Sequence, residues 1–313
     1  MSTRTVVLLG PQRPAPDIGA ALAELGVRGK VAVVMAGYQE RESEDAQVMA
    51  SLGVPGVNLT LHARAGDVFA RDAEFRDAYH ARQTRLRNIQ SFYRVRLEKT
   101  DEAGRMISVR YVEDELLEQE DTVSVEQLWQ LDRDHVDRCA AVRMQFETTW
   151  KPAEREHVAR HKREITELLA GTDALVIAGG HLASLYNRLA LFDVLELASP
   201  KPVFAWSAGA MVLTDQMVLF HDYPPYGSDI AQVLDAGFGL APRLVVLPDP
   251  KRRIRMDDKA GIARFARRMA PATCVAMDNG TRVILQRGTV KSARVRRLAP
   301  SGLVETKWKS VPA

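Results

Sequence analysis

The sequence predicts an α/β fold: a three-layer sandwich with a mostly parallel sheet, interrupted by a helical insertion. Three observations predict it. Residues 5–10, 30–37 and 57–62 are rich in β-branched side chains and flanked by turn formers. Residues 17–25 and 43–52, between them, have the apolar spacing of helices. The same alternation returns at residues 174–177, 182–197 and 203–206, after a long charged stretch of helical period. Continuous apolar runs mark strands covered on both faces, and strands joined through helices run parallel with right-handed crossovers.

The first β-α-β-α-β unit ends near residue 70. From Arg71 to about Thr100, Phe75, Tyr79, Leu86, Ile89, Tyr93 and Val95 recur at three- and four-residue steps, and the turn-like Asp101-Glu102-Ala103-Gly104 is expected to end this helix. A second helix is expected from about Ser124 to Phe146 through Leu128, Leu131, Val136, Cys139 and Val142. Lys151-Pro152 breaks it, and a third runs through Val158, Ile165 and Leu168 to Gly171. Residues 1–70 and 171–313 thus read as the α/β domain and 71–170 as the insertion, whose amphipathic helices pack on one another or on a second subunit. Later strands are expected at 243–247, 274–277 and 282–285, with 290–298 as an antiparallel finish.

With 43 Lys+Arg against 40 Asp+Glu, the 313-residue chain carries a formal charge of +3, and 46% of it is apolar. That balance excludes a disordered chain, and the longest apolar runs, under about ten residues, are too short to span a bilayer. Met1-Ser2-Thr3-Arg4 leads into a strand without a signal peptide's apolar core, and Cys139 and Cys274 suit buried thiols in a reducing compartment, so a cytoplasmic protein with no membrane partner is expected. Residues 250–313 hold 16 basic and 4 acidic residues. They are spread over several elements with few aromatics among them, so no nucleic-acid partner is expected. Residues 113–147, with 11 acidic and 3 basic, are suited to meet that basic part in the same or a neighbouring chain, which leaves homo-oligomer formation through the insertion open.

Chemistry concentrates at two strand ends. In Val203-Phe204-Ala205-Trp206-Ser207-Ala208-Gly209-Ala210-Met211 a strand meets a helix at a serine framed by small residues. A nucleophile elbow needs small residues two before and two after its serine so that strand and helix can approach, and Ala205 and Gly209 meet that need. The Ala208 amide would sit at the helix start, where unpaired N–H groups stabilise an oxyanion. The bland reading of the same residues is a tight turn whose serine caps the helix. In Ile177-Ala178-Gly179-Gly180-His181, paired glycines at a strand end let a backbone amide face the crevice in which open α/β sheets bind ligands.

These two segments, with Gly237-Phe238-Gly239-Leu240 and Asp278-Asn279-Gly280-Thr281, resemble the dipeptidase E and cyanophycinase family, serine peptidases on the glutamine-amidotransferase-like fold. The resemblance covers residues 174–285 well and 5–62 weakly, and leaves the insertion out. It implies that Ser207 is the nucleophile and that the amides of Gly180 and Ala208 form the oxyanion hole. Two positions depart from the family. Asp249 stands at the family's histidine position, and Asn279 stands before Gly280 where a glutamate is usual. A serine needs a base to take its proton, and a carboxylate with an ordinary pKa near about 3.9 is far weaker than imidazole.

Another imidazole is therefore expected to serve. His221, beside Asp222 in a proline-rich segment after the elbow helix, is the first choice, with Asp222 or Asp249 orienting it. His181 is the second. Arg252 and Arg253 follow Asp249 and suit a carboxylate on the substrate, while a solvated helix start explains them equally well. His135 with Cys139 and His157 with His161 share a four-residue spacing, but nothing in the sequence brings the two pairs together, so no metal is assigned, and no cofactor is implied. The expected function is a serine hydrolase acting on a peptide or small amide, acidic in character. The rival is an inactive family member that binds or assembles through its insertion.

Overall fold

The computed structural model describes residues 4–220 and 230–306. Its elements in order are β1 (Thr5–Leu9), α1 (Ile18–Glu24), β2 (Val31–Val34), a 3-10 turn (Ala36–Arg41), α2 (Ala46–Ser51), β3 (Gly56–Asn58), α3 (Leu61–Arg71), α4 (Ala73–Ser108), α5 (Asp114–Trp150), α6 (Glu156–Ala170) and β4 (Ala174–Ile177). There follow α7 (Leu182–Leu191), α8 (Val194–Leu197), β5 (Val203–Trp206), α9 (Ala208–Val212), β6 (Gln216–Leu219), β7 (Gln232–Ala236), β8 (Leu244–Pro248), α10 (Pro250–Arg253), α11 (Lys259–Met269), β9 (Thr273–Met277), β10 (Arg282–Gln286), β11 (Thr289–Arg294), β12 (Arg296–Leu298) and β13 (Val304–Glu305).

The central sheet runs β11-β10-β1-β5-β4-β2-β3. β1, β5, β4, β2 and β3 are mutually parallel, and β10 and β11 are antiparallel additions at one edge. Successive residues of a strand face opposite sides, so each strand feeds two cores. Val7, Leu9, Val31, Val33, Val176 and Phe204 pack with Ile18 and Leu22 of α1 on one side. Val6, Leu8, Val34, Leu175, Ile177 and Val203 pack on the other with residues of α3, α6 and α7. The fold is therefore the expected three-layer α/β sandwich.

Four details differ from the sequence reading. Residues 57–62 are not one strand, because Thr60 turns left-handed at φ 47° and α3 starts at Leu61. The helix of residues 182–197 breaks at Asp193, where φ is 50°. The late strands do not all join the main sheet: β8, β9, β12 and β13 form a second sheet in the order β13-β12-β9-β8. β6 and β7 pair as a hairpin that the sequence reading did not contain.

The helical segment also differs. α4 runs straight through Asp101-Glu102-Ala103-Gly104, and α5 starts ten residues before the expected Ser124. Gly104 lies where the two helices cross, and a Cβ there would come within 3.2 Å of Ser124 Cβ, so it serves close approach instead of ending the helix. Phe75, Tyr79, Tyr93, Leu97, Leu128 and Phe146 of this hairpin belong to the same apolar core as the sheet.

Polar side chains of the helices line up along β7. Arg268 Nη1 donates to Ala231 O (2.8 Å), and the Tyr93 hydroxyl accepts from Val233 N (3.1 Å). His135 Nε2 donates to Leu234 O (3.1 Å), and Arg143 forks onto Asp235 (2.5 and 2.8 Å). Asp132 closes the group by accepting from Arg268 (2.6 and 2.7 Å) and Tyr93 (2.7 Å). The acidic stretch of α5 thus meets the basic C-terminal part within one chain, with Arg267 also paired to Asp121 at 2.5 Å.

Candidate active site

β5 ends at Trp206 and α9 begins at Ala208, leaving Ser207 between them at φ 51°, ψ −125°. A left-handed φ on a residue with a Cβ is strained and persists only where the surroundings over-determine it. Here they do. A Cβ on Gly209 would sit 2.3 Å from Ile177 O and 2.8 Å from Ala178 O, so only glycine lets α9 press against the end of β4. A Cβ on Gly179 would meet Ser207 Cβ at 2.8 Å and lie 3.6 Å from the Ala208 amide nitrogen. The glycine turn and the serine turn are thus in direct contact.

Gly180 has φ 110°, and its Cβ position is occupied by the carbonyl of Gly37, 2.4 Å away. The His181 amide donates to that carbonyl (2.6 Å), so the ends of β2 and β4 are tied together. Gly180 N–H donates to no backbone carbonyl among the described residues, and Ala208 N–H belongs to the unpaired first turn of α9.

Ser207 is half-buried and lines an open cavity of about 490 Å³ at the carboxyl ends of four adjacent strands. Gln12 and Arg13 follow β1, Tyr38 and Gln39 follow β2, Gly179 to His181 follow β4, and Trp206 and Ser207 end β5. Its hydroxyl does not cap α9, and it has no hydrogen-bond partner among the described residues. The charged residues of the lining are Arg13, Arg41 and, when protonated, His181, with no carboxylate among them. Arg13 donates to Gln47 (2.5 Å), and Arg41 pairs with Glu44 (2.7 Å), a hydrogen bond that holds its guanidinium above its ordinary pKa.

Of the other residues proposed from sequence, Gly180 and His181 line this cavity among the described residues. His221 and Asp222 lie outside the described residues. Asp249 is left-handed at the start of α10, its amide donates to Met277 O, and its carboxylate stands 3.8 Å from Arg252; it does not line the cavity. Arg252 is exposed, and the Arg253 guanidinium lies 5.8 Å from the centre of the Phe220 ring, beside the residue that precedes His221 in the chain. Asn279 donates to Pro11 O (2.6 Å) and Ala15 O (2.9 Å), so it anchors the loop that carries Gln12 and Arg13 instead of touching the cavity. The two His/Cys pairs stay apart: His135 stacks on Tyr93 with Cys139 beside it, whereas His161 bonds Asp67. No cluster of three or more metal-ligating side chains occurs among the described residues.

The sequence reading missed Arg13, Arg41, Gln39 and Ser184. Gln39 has φ 57°, ψ −125°, the backbone conformation of Ser207, and its Nε2 donates to Ser184 Oγ at 2.8 Å. The one signal for it was a glycine, Gly37, near the end of the expected strand 30–37, a weaker form of the paired glycines at 179 and 180.

No protein-family model matches the chain, and no curated protein matches it. Among solved structures, a peptidase from an acI-B1 Actinobacterium aligns over 99% of this chain and 97% of its own, with 13% identity and a TM-score of 0.48. A candidate peptidase E from Listeria monocytogenes EGD-e aligns over 95% and 99%, with 11% identity and a TM-score of 0.44. With both TM-scores below 0.5, these likenesses carry no argument about what this chain does.

Proposed function

We propose that the protein is a serine hydrolase that cleaves an amide or peptide bond in a substrate bearing negative charge. One observation carries the reading: Ser207 is held in a strained left-handed turn on the wall of an open cavity, and its hydroxyl has no partner among the described residues. A serine that merely capped α9 would bond an amide of that helix, and Ser207 does not. Ser207 Oγ attacks the substrate carbonyl, and the amides of Gly180 and Ala208 hold the developing oxyanion. The proton passes to the base and then to the leaving amine, and water releases the acyl group. His221, oriented by Asp222, is the base we assign; Asp249 is engaged with the start of α10. Arg13 and Arg41 favour an anionic substrate over a cationic one.

The test is a fluorophosphonate probe. The folded protein is expected to be labelled, and Ser207→Ala and His221→Ala are each expected to abolish labelling. Folded wild-type protein that stays unlabelled would overturn the hydrolase reading and leave the elbow as scaffold for a binding protein.

A further inference from the structure

His181 is the one imidazole that lines the Ser207 cavity among the described residues, and its hydrogen bonds fix what it can do there. The ring sits at the start of α7, with Nδ1 accepting from the Ser184 backbone amide at 3.2 Å and lying 2.9 Å from Ser184 Oγ. A backbone N–H only donates, so Nδ1 must present its lone pair. In the neutral ring the proton then resides on Nε2. Nε2 has no partner among the described residues, so a donor is left free on the cavity side of the turn. An imidazole whose outward nitrogen already carries a proton cannot take one from a serine.

Ser184 is itself held. Gln39 Nε2 donates to Ser184 Oγ, which leaves that hydroxyl's own hydrogen for Nδ1. Gln39 reaches this position from a strained backbone at φ 57°, ψ −125°, and a residue pays such strain only where its placement is over-determined. Two strand ends thus converge on one ring: β2 through Gln39, and β4 through the glycine turn.

We infer that His181 is a substrate-binding donor, its Nε2–H directed to an acceptor oxygen of the substrate, and that the side chains of Ser184 and Gln39 are positioning groups that hold its ring. This rests on the hydrolase reading for the identity of the ligand, but the tautomer does not. The oxygen is a carbonyl or carboxylate next to the scissile bond, because the cavity that holds His181 also holds Ser207.

Two measurements on the full chain test it. Long-range proton–nitrogen NMR of the histidine-labelled protein, with His181→Ala identifying the signal, is expected to show a protonated Nε2 and a bare Nδ1. Ser184→Ala and Gln39→Ala each disturb the side-chain hydrogen bond to Nδ1 and leave the backbone one, so they are expected to shift the Nδ1 resonance while Nε2 stays protonated. A protonated Nδ1 in the wild type, or a signal unmoved by both variants, overturns the assignment. In the second measurement the fluorophosphonate rate is compared for His181→Gln, whose amide nitrogen stands in for Nε2–H, and His181→Ala. His181→Gln is expected to react at least tenfold faster than His181→Ala. Equal loss in the two marks His181 as a base and overturns the donor role. Wild-type protein that fails to label sinks the hydrolase reading alone, since the NMR result stands without it.

Discussion

At the scale of single residues, the positive φ of Ser207 bears directly on stability. Glycine at 207 would accept φ 51° without a Cβ, whereas alanine would keep the strain and lose only the hydroxyl. Relief of left-handed strain is worth about 1–3 kcal/mol, partly offset by glycine's greater unfolded-state entropy. Ser207→Gly is therefore expected to be more stable than Ser207→Ala by about 1 kcal/mol in urea unfolding, with both inactive toward the probe. Equal midpoints for the two would mean the turn is relaxed.

A second residue carries a pH dependence. Asp72 caps α4 by accepting from Phe75 N (3.0 Å) and takes a two-pronged bond from Arg155 (2.7 and 2.8 Å). The Arg155 hydrogen bond is the main cause that holds its pKa below the ordinary carboxylate value. A depressed carboxylate pKa contributes stability above the unfolded-state value of about 3.9, and that contribution is lost as pH falls through the native value. Asp72→Ala should cost about 1 kcal/mol near neutral pH, and the gap to wild type should close in acid. Unfolding curves at pH 7 and pH 3 check both halves, and a gap that widened in acid would contradict the sign.

At the scale of elements, runs that are apolar on every residue were legible and exceptions were not. β4 and β5 sit where the sequence put them, because four consecutive buried residues leave no alternative register. Gly104 misled, since a glycine that ends a helix and one that lets two helices touch are the same letter; its neighbour Ser124, twenty residues on, supplies the difference. β6 and β7 escaped because each alternates weakly and their pairing is long-range. At the site, the elbow was legible because small residues at fixed offsets are a steric demand. Gln39, Ser184 and Arg13 were not, since their partners are distant in sequence: Gln39 meets Ser184 of α7, and Arg13 meets Gln47 of α2.

The group of Asp132, Arg268 and Tyr93 joins α4, α5, α11 and β7, and all three side chains are buried. Removing one partner leaves the other charge buried and unpaired, at a cost of about 3–5 kcal/mol. Asp132→Ala is expected to lose that much in denaturant unfolding, and Arg268→Met in the same background should recover part of it. A loss under about 1 kcal/mol would mean that water reaches the pair.

At the scale of the whole molecule, both thiols are buried, Cys139 between α4 and α5 with Leu86, Ile89 and Val142, and Cys274 of β9 in the main core. Burial pushes the Cys139 thiol up to about 12 and raises Cys274 as well. At pH 8 both remain protonated and inert. A thiol-reactive disulfide reagent should find neither in the native protein and both in strong denaturant. A fast-reacting native Cys139 would show that the α4–α5 seam opens.

The side chains ranged along β7 have a consequence for evolution and engineering alike. Ala231 O accepts from Arg268, Leu234 O from His135 and Asp235 from Arg143, while Val233 N–H donates to the Tyr93 hydroxyl; Phe75, Tyr79 and Phe146 of the long helices belong to the main apolar core. Excising residues 73–150 would strip a strand of its companions and bare an oily surface. The hairpin is a wall of the house, and shortening it would bring aggregation before it brought a smaller protein.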